Sequence, residues 1–492
     1  MMSPSLRKQI FGIVIGPVLA FLICQLPLPE GLSPQGLRSI AAGVWVISWW
    51  MFAPWDLPAS ALLSVAVFGL MDTLPPAATF KVWGETTIMV LWGSFILVGL
   101  WKESNLIERY AYWAINLPFI KGRPKRLVTV FCLAIGLISA IVPNIPLCAL
   151  FLGMLLSMAK GLGLPPESRM IRGLGIMVGW APSIGGVGTP LGGAPNIIVM
   201  GLIAGAIGHQ VSFWEWSIVG LPYMLITLII TIIVVPLVFP CGERSGAALS
   251  DTSALRAKLE ALGPMSRYEK ASIIIMIVAI LLWMFGQPVA RWLGYPKFAG
   301  TMLNTPALAL IIGSSLFLLP YKRDKETGKL VFAMTWTQAR RAIDWNVIVF
   351  AGGATIFGQV LVAGGVDKWM AQLAQSVLGE MHPILVWWLL LFLCVTLSQA
   401  LNSIGMIGIM VPFAANLAPH YGLDPVLCCL TMGMVAQFGM VFPFSGLPVA
   451  MVVGGGEGRI RAQDFIVGGI VMLPLVATAG VIVGYMVLPF FQ

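Results

Sequence analysis

Between Arg126 and Lys160 the chain is long enough to enter a bilayer and return, yet it carries no charged residue. Pro143-Asn144-Ile145-Pro146 break this segment in its middle. A second apolar segment, Pro383 to Pro419, is broken at Asn402-Ser403-Ile404-Gly405, and no Lys or Arg occurs from Trp369 to Gly458. Basic flanks sit on the cytoplasmic side of a membrane. The first segment, with Lys125, Arg126 and Lys160 around it, is therefore predicted to enter and leave from inside, and the second from outside. Opposed breaks meeting at mid-membrane are the pattern of an alternating-access transporter.

Composition agrees with a membrane solvent. Of 492 residues, 58% are hydrophobic and only 10% charged, too little polar surface for a soluble globule of this size. The net charge of +9 is divided among short loops: Arg7/Lys8, Lys121 to Arg126, Arg256 to Lys270, Lys322 to Lys329 and Arg340/Arg341. That distribution follows the positive-inside rule and gives no nucleic-acid patch; membrane lipid is the expected surrounding. The seven cysteines offer no Cys-x-x-Cys or Cys/His ligand spacing and read as small apolar residues, so no cofactor is expected. Ile10 to Leu26 follows two basic residues like a signal peptide. No small-residue cleavage site follows it, so it reads as a retained first span with the N-terminus cytoplasmic.

An all-α membrane fold follows from orienting each apolar run by its flanks. Spans are predicted near 10–26, 38–54, 57–75, 86–101, an interrupted 173–206, and 217–239. A second set falls near 271–289, 303–320, 345–362, an interrupted 425–455, and 464–490. With the hairpins at 127–159 and 384–418, this makes about eleven transmembrane helices plus two opposed re-entrant hairpins in one polytopic domain. The C-terminus is expected outside. Two inverted repeats, about 38–240 and 271–490, are joined by a cytoplasmic loop, 241–270, that holds a short amphipathic helix after Asp251-Thr252-Ser253. Gly93 and Gly99 match Gly352 and Gly358 at an offset of 259, as do Glu108-Arg109 and Asp367-Lys368, and Asn144-Ile145 and Ser403-Ile404. Pro195 and Gly201 match Pro448 and Gly454 at 253.

Irregular backbone inside a bilayer is tolerated where it is buried in protein or lines a wet cavity. Each hairpin tip precedes a matching interrupted span, Gly185 to Asn196 or Pro443 to Pro448, and the repeat brings the four breaks together. Half-helix N-termini there offer N–H groups to an anion, while freed carbonyls, hydroxyls and amides can hold a small cation. No charged residue lies between Arg172 and His209 either. Proton relays use intramembrane carboxylates, so sodium is the expected coupling ion.

The run Ser183-Ile-Gly-Gly-Val-Gly-Thr-Pro-Leu-Gly-Gly-Ala-Pro-Asn-Ile197, with Asp344 to Gly353 and Leu397 to Pro412, resembles the divalent anion/sodium symporter family, which includes the animal solute carriers of family 13. The resemblance implies an elevator-type homodimer with a scaffold and a moving transport domain, and a divalent anion such as a dicarboxylate as substrate. It implies one sodium site at Ser139, Asn144 and carbonyls around Gly192. A second would use Ser398, carbonyls near Leu401 and Ser445, and the side chains of Asn402 or Ser403. Candidate substrate-binding residues are Asn144, Ile145, Thr189, Pro195, Asn196, Asn402, Ser403, Ile404, Gly446 and Pro448.

Where that family has Ser-Asn-Thr at both tips, this chain has Pro143-Asn144-Ile145 and Asn402-Ser403-Ile404. Its second Thr-Pro-Pro-Asn loop is here Gly446-Leu447-Pro448-Val449. Two isoleucines favour a substrate with an apolar part or a single carboxylate. The resulting expectation is a bacterial inner-membrane secondary transporter of small organic anions. An inorganic oxyanion carrier or an ion antiporter is the nearest alternative. An intramembrane enzyme would need a side-chain constellation that lone Cys148 and Cys394 do not supply.

Overall fold

The computed structural model describes residues 4–52, 55, 57–120, 124–161, 165, 168–240, 253–323, 328–400, 403–443 and 445–491. Its first half contains α1 (Pro4–Cys24), α2 (Pro34–Phe52), α3 (Leu57–Leu70), α4 (Pro76–Lys81), α5 (Thr86–Glu103) and α6 (Leu106–Ile115). The first hairpin is α7 (Pro124–Ser139) and α8 (Asn144–Gly161). The first interrupted span is α9 (Arg169–Gly186) and α10 (Ala194–Ile207), and α11 (Phe213–Val238) closes the half. After α12 (Ser253–Ala261) come α13 (Arg267–Trp292), α14 (Pro296–Met302), α15 (Thr305–Ser315), α16 (Trp336–Ala342), α17 (Trp345–Ala363) and α18 (Val366–Leu378). The second hairpin is α19 (Pro383–Leu397) and α20 (Ser403–Leu417). The second interrupted span is α21 (Pro425–Val435) and α22 (Leu447–Gly455), followed by α23 (Ala462–Val487).

Among the described residues, six helices are long and apolar enough to cross a membrane, and up to eight if each sharply bent pair is one span. The expected spans are more numerous. Ser403–Tyr421, an arm of the expected second hairpin, is itself long enough to cross, whereas 10–26 and 57–75 appear as the short apolar helices Gln9–Cys24 and Pro58–Leu70. The interrupted spans are divided, so that Ala194–Ile207 and Pro425–Val435 are also short. Irregular breaks at proline and glycine cause this division. A two-stranded antiparallel ribbon departs from the all-α expectation: β1 (Pro320–Arg323) pairs with β2 (Leu330–Phe332), Lys322 opposite Val331. Pro320 cannot continue a helix, and the Leu-Val-Phe run favours strand once it projects beyond α15. Asp251, Thr252 and Cys241 lie outside the described residues.

The helices pack in two groups. One is built from α1, α2, α3, α5 and α13 to α17, with α3 against α17 and α5 against α15. The other holds both hairpins, both interrupted spans, α11 and α23; α9 packs on α7, α8 and α22, and α23 packs on α11, α19 and α21. The groups meet mainly where α10 and α20 lie against α17. Outward faces are apolar, for example Ile229, Ile233 and Leu237 on α11 and Ile274, Ile277 and Leu281 on α13, as lipid contact requires.

Ion pairs join helix ends: Lys160 with Glu457 at 2.7 Å, Arg172 with Asp464 at 3.7 Å, Arg109 with Glu269 at 2.8 Å, Arg38 with Asp72 at 3.4 Å and His209 with Glu215 at 2.8 Å. Arg109 also donates to Leu262 O and Gly263 O, tying α6 to the segment between α12 and α13. At the opposite end of α5, Glu85 accepts from Gln359 at 2.9 Å, and Thr86 donates to Gln210 at 3.2 Å. Asp367 on α18 accepts from Asn416 of the second hairpin at 2.8 Å.

Candidate functional site

The first hairpin turns where Pro143 interrupts the ladder between Ser139 and Asn144. Ser139 is fully buried, and its Oγ lies 2.8 Å from both Pro182 O of α9 and the Asn144 amide. The Asn144 amide is satisfied with its nitrogen turned to these acceptors, donating to Gly192 O at 3.3 Å, Ser139 Oγ at 2.8 Å and Pro182 O at 2.9 Å. The same convergence suits a small cation, because hard cations take oxygen ligands.

The first interrupted span supplies the other wall. Thr189 donates to Ala140 O and accepts from Leu191 N at 3.2 Å, so the break is tied to the tip. Asn196, fully buried one turn into α10, donates to Gly186 O at 2.6 Å and to Thr189 O at 2.8 Å. Glycine is required sterically: a Cβ on Gly192 would lie 2.7 Å from Ser139 O and overlap Gly186 O. Three carbonyls, the Ser139 hydroxyl and the Asn144 amide thus surround one small volume.

In the second half, Gln399 holds the corresponding place. Its Nε2 donates to Val395 O at 2.7 Å and Phe438 O at 2.6 Å, and its Oε1 accepts from Met440 N at 2.8 Å and Val441 N at 3.0 Å. Ser398 donates to Val395 O, and Ser445 to Phe442 O at 2.6 Å. The same pair of positions meets in both breaks at an offset of 253, Gly186 with Gly192 and Gly439 with Ser445, with the closer approach reversed: a Cβ on Gly192 would overlap Gly186 O, and one on Gly439 would overlap Ser445 O. Trp216 donates to Val187 O, and Trp180 to Met440 O, each at 2.9 Å. The halves join where Gln437 Nε2 donates to Asn196 Oδ1 at 2.9 Å.

Ser139, Asn144, Thr189, Gly192 and Asn196 therefore stand together, while Ser398 and Ser445 lie on either side of Gln399. Pro195 opens α10, and Gly446 and Pro448 open α22. Pro448 is buried, and its carbonyl accepts the Cys148 thiol at 3.5 Å, packing α8 onto α22. Ile145 is 44% exposed at its tip, and Ser403 and Ile404 are half-buried at the start of α20. Leu401 and Asn402 lie outside the described residues. Sequence reasoning missed Gln399 and Gln437, each the sole glutamine of its broken segment, a signal that could have found them. Cys132, Cys148, Cys394, Cys428 and Cys429 are buried and free. No group of three or more His, Cys, Asp or Glu able to hold a metal occurs among the described residues.

A model of the citrate transporter family, CitMHS, matches residues 47–433, most of the chain. The chain belongs to the CitMHS citrate transporter family. Curated relatives agree with a divalent anion/sodium symporter type. This CitMHS member is 26% identical over 468 residues to the sodium-dependent dicarboxylate transporter SdcS of Staphylococcus aureus (strain NCTC 8325 / PS 47), covering 93% of this chain and 88% of that protein. It is 25% identical over 492 residues to SdcS of Staphylococcus saprophyticus, covering 98% and 92%. Among solved structures, MtrF of Neisseria gonorrhoeae superposes with a TM-score of 0.55 at 12% identity, over 98% of this chain and 95% of that one. The Alcanivorax borkumensis YdaH transporter superposes at 0.51, also at 12% identity, over 99% and 98%. At that identity the likeness concerns fold alone. The CitMHS member is a multi-pass membrane transporter of anions, not an enzyme.

Proposed function

We propose that this protein carries small organic anions, di- or monocarboxylates, across the bacterial inner membrane by sodium-coupled alternating access. The observation that carries the sodium assignment is the convergence of the Ser139 hydroxyl, the Asn144 amide and the carbonyls of Pro182 and Gly192 on one small volume. A sodium ion there would be held by Asn144, Ser139 and Gly192, and would supply the positive charge that the side chains lack. The N-termini of α8, α10, α20 and α22, all at the breaks, favour an anion beside it. The exposed Ile145 and half-buried Ile404 favour a substrate with an apolar part. The dicarboxylate class also has support from the two SdcS relatives.

The paired breaks, the matched Gly–carbonyl packing and the matched indole bonds support an inverted repeat. The division into two helix groups supports an elevator in which the hairpin group moves against the other, and the family resemblance supports a homodimer. The basic loops Lys121 to Arg126, Arg256 to Lys270 and Lys322 to Lys329 support placing their end in the cytoplasm, with the N-terminus inside and the C-terminus outside. The test is thermal stabilisation of the purified protein by mono- and dicarboxylates, sulfate and sulfonates, each in sodium or in potassium. Stabilisation by one carboxylate class only in sodium is expected. Indifference to sodium would remove the coupling, and a strict preference for a fully hydrophilic dianion such as succinate would remove the apolar-substrate reading. Asn144→Ala is expected to abolish sodium-dependent stabilisation and uptake while leaving expression intact.

A further inference from the structure

Two amides where the interrupted spans meet have their orientation fixed by backbone carbonyls, which can only accept. Asn196 Nδ2 lies between Gly186 O at 2.6 Å and Thr189 O at 2.8 Å, so both its hydrogens are placed and Asn196 Oδ1 is turned away from them. Gln437 then meets two acceptors, Asn196 Oδ1 at 2.9 Å and Gly433 O at 3.1 Å, and must turn its nitrogen to both. Both hydrogens of Nε2 are thereby used. Gln437 Oε1 points the other way, and no described residue donates to it.

That oxygen is open. Along 426–441 every residue except Gln437 is buried, and along 184–203 every residue except Gly193, Ala194 and Pro195. The exceptions meet: a Cβ on Gly193 would lie 4.0 Å from Gln437 Oε1. A bare amide oxygen on a lipid face would be costly, so this opening is a wet space within the protein, at the N-terminus of α10. The break that forms it also touches the first tip. A Cβ on Gly186 would meet the Asn144 amide at 2.7 Å, and the Gly186 carbonyl is the one that Asn196 holds.

We propose that Gln437 Oε1 accepts a hydrogen bond from a hydroxyl of the substrate, and that the preferred organic anions are 2-hydroxy acids. The proposal rests on the organic-anion reading above and deepens it. A carboxylate is drawn to the α10 N-terminus, but an acceptor beside it repels a further carboxylate oxygen and answers only a group that carries hydrogen. A hydroxyl on the carbon next to the carboxylate supplies that hydrogen. Its O–H donates to Gln437 Oε1 while the carboxylate faces the N–H groups of α10. Where the hydroxyl is missing, Oε1 keeps a water, so the loss is that of one exchanged hydrogen bond, about three- to tenfold in affinity.

Titration calorimetry of the purified full chain in sodium tests this with matched acids: lactate against propionate, malate against succinate, citramalate against methylsuccinate. In each pair that binds, the better enantiomer of the hydroxy acid should bind about three- to tenfold more tightly than its deoxy partner. Gln437→Leu removes the acceptor, and the ratio should fall to about one. A Gln437 that only braces Asn196 would weaken both members of a pair alike and leave the ratio as it was. Equal wild-type affinities within the pairs, or tighter binding of the deoxy acids, overturn the proposal and leave organic-anion transport intact. A ratio unchanged in a folded Gln437→Leu protein overturns it too. Binding of no carboxylate of either kind removes the organic-anion reading and this proposal with it. Should Gln437→Leu fail to fold, the wild-type ratios still decide.

Discussion

Single amides carry much of the site. Asn196 and Gln437 meet across the two interrupted spans at 2.9 Å, and Asn196 is wholly buried. Interhelical side-chain hydrogen bonds in membranes average only about 0.6 kcal/mol. Gln437→Leu should cost more, about 1–3 kcal/mol, because it strands a buried acceptor instead of removing a matched pair. Thermal or denaturant unfolding in detergent measures the difference, and an unchanged midpoint would mean that Asn196 finds another donor. His209 offers a pH readout at the opposite scale of burial. Its Nε2 lies 2.8 Å from Glu215 Oε1, and that hydrogen bond holds the imidazole pKa above its usual 6.5, although partial burial opposes the shift. A raised folded-state pKa gives stability fully present below 6.5 and lost as pH rises through the folded value. With the ring 40% exposed, solvent screening keeps the contribution to a few tenths of a kcal/mol. His209→Ala should flatten that part of the pH–stability curve and leave the alkaline limb unchanged. Asn144 and Asn196 were legible in the sequence because polar residues at proline breaks in apolar runs need a reason. Gln399 and Gln437 were not singled out, since a lone glutamine does not announce which carbonyls it will meet.

At the scale of elements, the breaks are where small residues become obligatory. Gly439 approaches Ser445 O, and Gly192 approaches Gly186 O, so closely that a methyl group would overlap backbone, which cannot swing aside as a side chain could. Gly439→Ala and Gly192→Ala should therefore each lower stability by more than about 2 kcal/mol, the range of overpacking against an unyielding neighbour. Gly153, in the middle of α8, has no atom within 4 Å of its would-be Cβ. Gly153→Ala should be neutral or stabilising by up to about 1 kcal/mol, through helix propensity alone. Equal effects at the two kinds of site would show that composition, not close approach, sets the glycine content. The positions of the four breaks could be read from Pro143, Asn402, Gly185 to Gly193 and Pro443 to Pro448. The β1–β2 ribbon could not, because its strands are only four and three residues long and flank a charged loop with no periodic signal of its own.

For the whole molecule, charge and hydropathy reach furthest. Lysines and arginines flank many apolar runs and are missing from Trp369 to Gly458, and Arg109, Lys160 and Arg172 each meet an acidic partner. Reporter fusions should place Lys270 and Arg340 in the cytoplasm and the C-terminus outside; a cytoplasmic C-terminus would break the inverted-repeat topology. The amino-acid sequence by itself determined that this chain lives in a membrane, where it breaks its spans, and that its centre carries no charge. These are local properties: each residue's preference for lipid, helix or turn is felt without reference to distant partners. Tertiary structure alone decided which carbonyl faces which amide: Gln399 meets Val395 O and Phe438 O in one half, and Asn144 meets Pro182 O and Gly192 O in the other. Hydrogen bonds spanning 39 to 241 residues depend on how the helices pack, to within a few tenths of an ångström, and no local pattern encodes that distance.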